Sequence, residues 1–560
     1  MMNWKKNEEI TIVIDDLGNN GEGIGHVDGY TLFVKGALPG EKVRVRIMKQ
    51  KKNYGYARLL QIVTPSPDRQ NPLCPALPAC GGCTLQHLSY GKQLAYKEKK
   101  VLDCLERIGG LDLSGAEWLP VLGMEEPWHY RNKAQFPVRG DKSSRPVTGF
   151  FAGHSHHLVP VDACCIQHPV INEVVEYILA FMRDFHIPAY EEERHTGLVR
   201  HIYVRRGHHT GQIMVCLVVN GSSLPYAEEL TARLRKIGGM TSICLNINKK
   251  RTNVILGPQM LPLWGPLYIE DSIGEIRFRI SPQSFYQVNP VQTERLYETA
   301  LSFAELKGNE TVWDLYCGIG TISLLFAREL ERKGEDAADT PVGKVCGVEI
   351  VPEAVENAKE NARINGIANA AFYCGAAETV VPELVSQRKE KVDVVVLDPP
   401  RKGCDAALLD TVVQMAPERI VYVSCDPATL ARDVKALGEK GYEVKKVRAC
   451  DMFPQWGHVE TVCLLSKLHA DHHIEVELQM DELDLTAAES KATYEEIKDY
   501  VLEHSGLKVS SLYVAQIKRK CGIIERENYN KPELEDVKQP QCPPEKEEAI
   551  IESLRYFKMI

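Results

Sequence analysis

A chain of 560 residues exceeds one ordinary core and points to about three or four domains. With 44% hydrophobic and 26% charged residues it reads as a globular chain. No apolar run approaches the ~20 residues of a membrane helix. The charged opening MMNWKKNEEITIVIDD lacks a signal peptide's apolar centre, so a cytoplasmic protein without membrane contact is expected. The net charge of −9 is unevenly spread: residues 41–58 hold seven bases against one acid, and residues 471–503 hold eleven acids against two bases.

Residues 1–64 alternate short strands with glycine turns (ITIVID, GNNGEGIGHVDGYTLFV, EKVRVRIMK, ARLLQIV), which predicts a small β-barrel. Its bases, from Lys42 to Arg58, could neutralise phosphates or form a solvated face. The Pro-rich connector TPSPDRQNP leads to LCPALPACGGCTLQ, in which Cys74, Cys80 and Cys83 are spaced five and two residues apart. Soft thiolates in a loop kept open by glycine and proline suit clustered iron. Three of them leave one iron short of a ligand, and VDACCIQHP offers Cys164 or Cys165. A [4Fe–4S] cluster is expected, with a four-cysteine zinc site and unliganded thiols as alternatives. Most of the other cysteines, among them Cys216, Cys244, Cys346 and Cys463, lie in apolar strand-like runs and read as packing residues.

YGKQLAYKEKKVLDCLERIGG has helical periodicity and a glycine stop. A central domain over 65–275 mixes strands such as GQIMVCLVVNG with the helix VINEVVEYILAFMRDF. Over 276–467 strands alternate with helices, the rhythm of a doubly wound parallel sheet. Ligands of such sheets bind at the carboxyl ends of the strands. Four features fall there: the glycine turn of TVWDLYCGIGTISLLF, Glu349 ending KVCGVEI, Asp398-Pro399-Pro400, and Cys425 ending IVYVSCDP. Glu349 is placed to accept hydrogen bonds from ribose hydroxyls. The polar insert ERKGEDAADTPVGK reads as a surface loop. A dinucleotide-binding domain is the alternative. Residues 468–560 open as an acidic linker and turn helical from Tyr494. Thr493 with Glu496 would form a capping box, and Ile497, Tyr500, Val501 and His504 recur near helical spacing. A second helix over LKVSSLYVAQIKRKCG would complete a helix-turn-helix for RNA or ribosome docking, or an appendage packed on the catalytic domain.

DLYCGIGTISL, DPPRKG, SCDPATLARD and FPQWGHVETV, preceded by ISPQSFYQVNP, occur in the order found in RNA (uracil-5-)-methyltransferases. The chain resembles that family over about residues 5–467, and its first 63 residues resemble a TRAM domain. The resemblance implies an α/β protein: a Rossmann-like class I methyltransferase domain, an OB-like N-terminal barrel, an α+β central domain and a helical extension. It implies contacts to S-adenosylmethionine by Gln287, Tyr316, Glu349 and Asp398, catalysis by Cys425 and Glu460, and Cys164 as fourth ligand of a cluster. FPQWGH departs from a pattern with Thr before the His. Barrel and cluster together resemble the 23S rRNA branch more than the bacterial tRNA branch. Cys425 would add to carbon 6 of a uridine and make carbon 5 nucleophilic, which splits one hard step into easier ones. Cys317, inside the glycine turn, reads as packing. RNA contacts are expected at Arg131, Lys133, Arg200, Arg205 and Arg206, by a monomer acting on a base splayed from its stack. A non-catalytic RNA-binding assembly factor, a tRNA methyltransferase and an amino-directed methyltransferase using DPPR are the alternatives.

Overall fold

The computed structural model describes residues 7–153, 155–335, 341–388, 391–468, 494–521 and 542–557, in two compact units dividing between residues 469 and 470. In the first unit, alternating apolar residues build a six-stranded barrel. Leu32, Val34, Val43, Val45 and Ile47 point inward and are essentially fully buried, while the intervening residues face out. Its strands run in the spatial order Glu9–Val13, Lys42–Gln50, Tyr54–Thr64, Tyr30–Lys35, Gly23–Val27 and Asp16–Leu17.

The predicted doubly wound sheet has eight strands. Ala370–Cys374, Lys344–Glu349, Thr311–Asp314, Val394–Leu397 and Arg419–Ser424 are parallel neighbours. Glu460–Lys467 then pairs antiparallel, between Arg419–Ser424 and Tyr442–Cys450. The last strand is Glu117–Leu122, parallel to Tyr442–Cys450. The eight-stranded sheet therefore recruits a strand from residues expected in the central domain. The helix Tyr90–Asp103, continuing as a wider turn to Ile108, likewise packs on this body through Val101, Cys104 and Leu105. A boundary drawn by chain position misses this return, because edge pairing is a non-local choice.

The central region is a seven-stranded sheet covered by the helices Pro169–Asp184 and Ala227–Leu234. Its core includes Ile171, Val174, Ile178 and Phe181 at helical spacing. Across the parallel strands Ile213–Val219 and Met240–Ile247, Cys216 faces Cys244, both buried. Cys346 and Cys463 are buried too, as expected of packing thiols.

The second unit differs from the expected two-helix motif. Tyr494–Ser505 and Ser511–Lys520 are joined by Pro544–Tyr556, and Ile497, Val501, Val514 and Ile517 share a core with Ile550 and Leu554. Ser510 caps the second helix by accepting from the Tyr513 amide. His504 is exposed rather than inward. Lys518 is buried and Lys520 pairs with Glu547, so much of the expected basic end is already engaged. The capping Thr493, the acidic linker and residues 336–340 of the polar insert lie outside the described residues. Among the described residues no helix is long and apolar enough to cross a membrane.

Candidate active site

The glycine turn begins where the strand Thr311–Asp314 ends. Gly318 and Gly320 take positive φ values of 55° and 85°, which glycine adopts without a Cβ clash. A Cβ on Gly320 would also meet the Phe372 ring at 3.2 Å and Ala358 at 3.3 Å. Beneath the turn, Asp314 accepts from the Ser323 hydroxyl at 2.6 Å, tying the strand to the helix Thr321–Glu335. Burial pushes the Asp314 carboxyl up to about 6. Glu349 spans the same turn: one carboxylate oxygen accepts from the Gly318 amide at 3.1 Å and the other from Val351 at 2.9 Å. Cys317 is buried, and its sulfur would lie 3.0 Å from a Cβ on Gly347. It fills the space the glycine leaves, as a packing residue does.

A cavity of about 690 Å³ opens at the carboxyl end of these strands. Gln287, Tyr316, Glu349, Asp398, Cys425 and Glu460 all line it. The sequence places these residues up to 173 positions apart, from Gln287 to Glu460, and the sheet brings them to one wall. Cys425 sits in a turn closed by the Asp426 amide donating to the Ser424 hydroxyl at 3.2 Å. Asp426 then caps the helix Pro427–Gly438, accepting from Ala428 and Thr429. Glu460 opens its strand and is 4% exposed, not a surface acid.

Charge is concentrated in this cavity. Burial and the neighbouring Asp398 push Glu460 up to about 8, opposed by Arg401. Burial, then Glu460 and Asp398, push the Cys425 thiol up to about 12, again opposed by Arg401. Asp398 is itself raised to about 7 by burial and Asp314. Burial and the nearby Arg401, Lys100 and Lys97 hold His458 down at about 4.

Among the other lining residues are Arg401, His458 and Phe285, the last 69% exposed, to which the sequence motifs alone assign no role. Arg401 was visible in DPPRKG. It is the cation that favours the charged forms of both Cys425 and Glu460. The loop bearing it is clamped by the helix after Cys425: Asp433 accepts from the Cys404 amide at 2.8 Å, and Arg432 donates to the carbonyls of Lys402 and Cys404.

The expected RNA contacts divide. Arg131 lines the cavity. Arg205 is 1% exposed and donates to the carbonyls of Ser281 and Ser284, both at 3.0 Å. Arg200 is 4% exposed and donates to Asn248, Lys250 and Thr252 carbonyls. Both guanidinium groups are structural: their terminal nitrogens already serve backbone acceptors, while each Nε is buried without a hydrogen-bond partner. Arg205 thereby fixes the loop that presents Phe285 and Gln287. Lys133 is brought down to about 7 by burial and by Arg205 and Arg131. Arg206 donates to the His208 carbonyl at 3.3 Å.

A second cavity, of about 270 Å³, is lined by Cys74, Cys80, Cys83, Cys164 and Cys165. Burial and the neighbouring thiols raise both candidates for the fourth place: Cys164, beside Cys74 and Cys80, is pushed up to about 11, and Cys165, beside Cys74, is raised as well. Among the described residues no three His, Cys, Asp or Glu side chains are close enough to hold a single metal ion. Soft thiols lining one cavity are a donor set that suits either an iron–sulfur cluster or zinc.

The loop between the last two antiparallel strands joins this thiol pocket to the wall that carries Glu460. Gln455 accepts from the Thr84 and Leu85 amides at 3.0 Å, Tyr130 donates to the Pro454 carbonyl, and the Trp456 indole donates to the Gly82 carbonyl. Asp451 forms a fully buried ion pair with Lys97. Five residues after Gln455 comes Glu460.

A mostly parallel sheet with a glycine turn after Thr311–Asp314 and an acid ending Lys344–Glu349, fronted by a small barrel, has the architecture of a Rossmann-like methyltransferase. Residues 90–468 match the tRNA (uracil-5-)-methyltransferase family and residues 3–60 the TRAM domain. The chain belongs to that family. It is 49% identical to an RNA methyltransferase of Halalkalibacterium halodurans, over 82% of this chain and 97% of that one. It is 48% identical to another of Clostridium acetobutylicum, over 83% and 98%. The tRNA (uracil-54, C5)-methyltransferase of Pyrococcus abyssi, solved with S-adenosyl-L-homocysteine, is 28% identical with a TM-score of 0.64, over 81% of this chain and 99% of that one.

Proposed function

We propose that this protein transfers a methyl group from S-adenosylmethionine to carbon 5 of a uridine in 23S rRNA, with Cys425 as nucleophile and Glu460 as base. The observation that carries this reading is the single cavity shared by Cys425, Glu460 and the four residues expected at the methyl donor. Bound S-adenosylmethionine supplies an electrophilic methyl on a sulfonium centre. Glu349, Tyr316, Asp398 and Gln287 would hold it against the glycine turn.

Cys425 releases its proton to solvent and, as thiolate, bonds through sulfur to carbon 6, and the electron pair of the 5,6 double bond moves toward the carbonyl at carbon 4. Carbon 5 becomes a nucleophile, takes the methyl group, and for a moment carries both methyl and hydrogen. Glu460, as carboxylate, removes that hydrogen as a proton. The double bond reforms and expels the Cys425 thiolate. Arg401 favours both charged states on which this sequence depends. Cys74, Cys80, Cys83 and Cys164 would hold a [4Fe–4S] cluster whose part is to brace the loop that ends at Glu460.

RNA containing 5-fluorouridine tests the chemistry. Fluorine cannot leave as a cation, so wild-type protein with methyl donor should form an adduct that survives denaturing gels, and Cys425→Ala should form none while still binding RNA. Absence of adduct from donor-loaded wild type overturns the mechanism. A tRNA uridine is the second reading, favoured by the likeness to the Pyrococcus abyssi tRNA enzyme over 81% of this chain. Mass mapping of ribosomal and transfer RNA from cells lacking the protein separates the two by which 5-methyluridine disappears.

A further inference from the structure

On the barrel, far in sequence from the catalytic residues, three aromatic rings meet in the open. Phe33 lies 5.8 Å from Tyr54 and 5.7 Å from Tyr56, and Tyr54 lies 5.8 Å from Tyr56, centroid to centroid. Tyr54 and Tyr56 are 38% and 44% exposed. The strand register explains the cluster. Leu32 and Val34 point into the barrel, so Thr31, Phe33 and Lys35 point out; opposite them stand Tyr54, Tyr56 and Arg58. Rings of this size normally turn inward. Here the inward places opposite are held by Gly55 and Ala57, where a Cβ on Gly55 would already sit 3.0 Å from the Lys49 carbonyl.

The cluster is also fixed before any partner arrives. The single Tyr30 hydroxyl proton is shared between the Lys51 and Tyr54 carbonyls, and its oxygen accepts from the Lys51 amide at 3.2 Å, pinning the turn into Tyr54. Cations surround it. Lys49 pairs with Tyr56 across the neighbouring strand, and Arg58 stands between Lys35 on one side and Arg46 on the other. Like charges directly opposite on a sheet destabilise it. Arg46 is paired with Glu9 at 2.7 Å, and an anion over Lys35 and Arg58 would relieve the rest. Glu22, within range of Tyr56, is tied to the amides of Asn20 at 3.2 Å.

The platform connects to the catalytic cavity by contact. A Cβ on Gly18 would touch the Phe33 ring at 3.4 Å, and Gly18 opens the turn that contains Asn19 and Asn20. That turn abuts Gly457: Lys100 bridges the carbonyls of Asn19 and Gly457 at 2.8 and 2.9 Å. The next residue, His458, lines the cavity.

We propose that Phe33, Tyr54 and Tyr56 form a stacking platform for unpaired bases of the substrate RNA, with Lys35, Lys49 and Arg58 on its phosphates. This rests on the reading of the chain as an RNA methyltransferase and adds where the strand next to the target is held. Stacking on exposed aromatics of a strand face tolerates any base, while the cations follow the backbone.

The test uses full-length protein and a fluorescein-labelled 20-nucleotide oligouridylate. Alanine at stacking aromatics costs ~1–3 kcal/mol per base, so Tyr54→Ala with Tyr56→Ala should weaken binding by about tenfold or more. Phenylalanine at both positions should restore it. Lys35→Ala with Arg58→Ala should lower the slope of log affinity against log salt by about 1.4, at ~0.7 per phosphate on a single strand. The tyrosine variants should leave that slope unchanged. A 5-iodouridine oligomer should crosslink wild type at Tyr54 or Tyr56, which decides the matter even if an alanine variant misfolds. Wild-type affinity in the double alanine variant, or crosslinks confined to other residues, overturns the platform. If wild type methylates RNA while the platform variants bind normally, only this inference fails. If no RNA is methylated but the alanine variant loses binding, only the catalytic reading fails.

Discussion

Replacing Glu460 by glutamine removes one titrating carboxyl with almost no change in side-chain shape. In the folded protein that carboxyl titrates at about 8 instead of 4.5, raised by burial and then by Asp398. Between those pH values the folded chain keeps a proton that the unfolded chain has released. Stability therefore falls as pH rises through the window and levels off above 8. At ~1.36 kcal/mol per pH unit, the full cost of the shift is about 5 kcal/mol. Water entering the cavity when the group ionises reduces this, so a gain of roughly 2–5 kcal/mol is expected for Glu460→Gln over wild type at pH 9. At pH 4.5 and below the two proteins should nearly coincide. Urea unfolding followed by tryptophan fluorescence at pH 5, 7 and 9, without methyl donor, gives the difference directly. Parallel stability profiles across that range would refute a buried Glu460 beside Asp398. With donor and normal RNA, the same variant should accumulate the covalent adduct, because the proton on carbon 5 has no acceptor.

Protein purified without oxygen should be brown, with about four irons per chain and matching acid-labile sulfide; zinc without sulfide in elemental analysis would count against the cluster. Gly320→Ala places a side chain at a φ of 85° and against Phe372. It should cost about 1–2 kcal/mol of stability and weaken S-adenosylhomocysteine binding in calorimetry, and wild-type affinity would show that the turn does not cradle the ligand. Residues 1–469, with a core of their own, should fold and bind S-adenosylhomocysteine without the helical unit; insolubility or lost binding would show that the extension completes the fold.

The parallel strands and their carboxyl-end residues were legible because a buried parallel strand announces itself as an apolar run, and function clusters where such runs end. DVVVLDPP and VYVSCDP needed no partner to be read. Other features depended on distant pairing. Glu117–Leu122 reads as an ordinary strand, and nothing local says that its neighbour is Tyr442–Cys450. Arg200 and Arg205 looked like surface cations because charge is visible in a sequence and burial is not; only the carbonyls of Ser281, Ser284 and Asn248 reveal their work. Phe33, Tyr54 and Tyr56 were seen as part of a barrel, yet their meeting depends on register between two strands.

The loop that runs from Asp451 to Glu460 also sets an order in time. Lys97 and its partner Asp451 are 354 residues apart, and Gln93 meets Gln455 across 362. A ribosome adding ~5–20 residues per second needs roughly 20–70 s to span that interval. For that period the barrel and the thiol loop have been made, but the segment that seals them is still unwritten. Lys97 cannot be buried with a counter-charge, and the floor of the thiol pocket has no Trp456. Closure of that pocket in the cell thus has a natural waiting period, ended by the same stretch of chain that delivers Glu460 to the cavity.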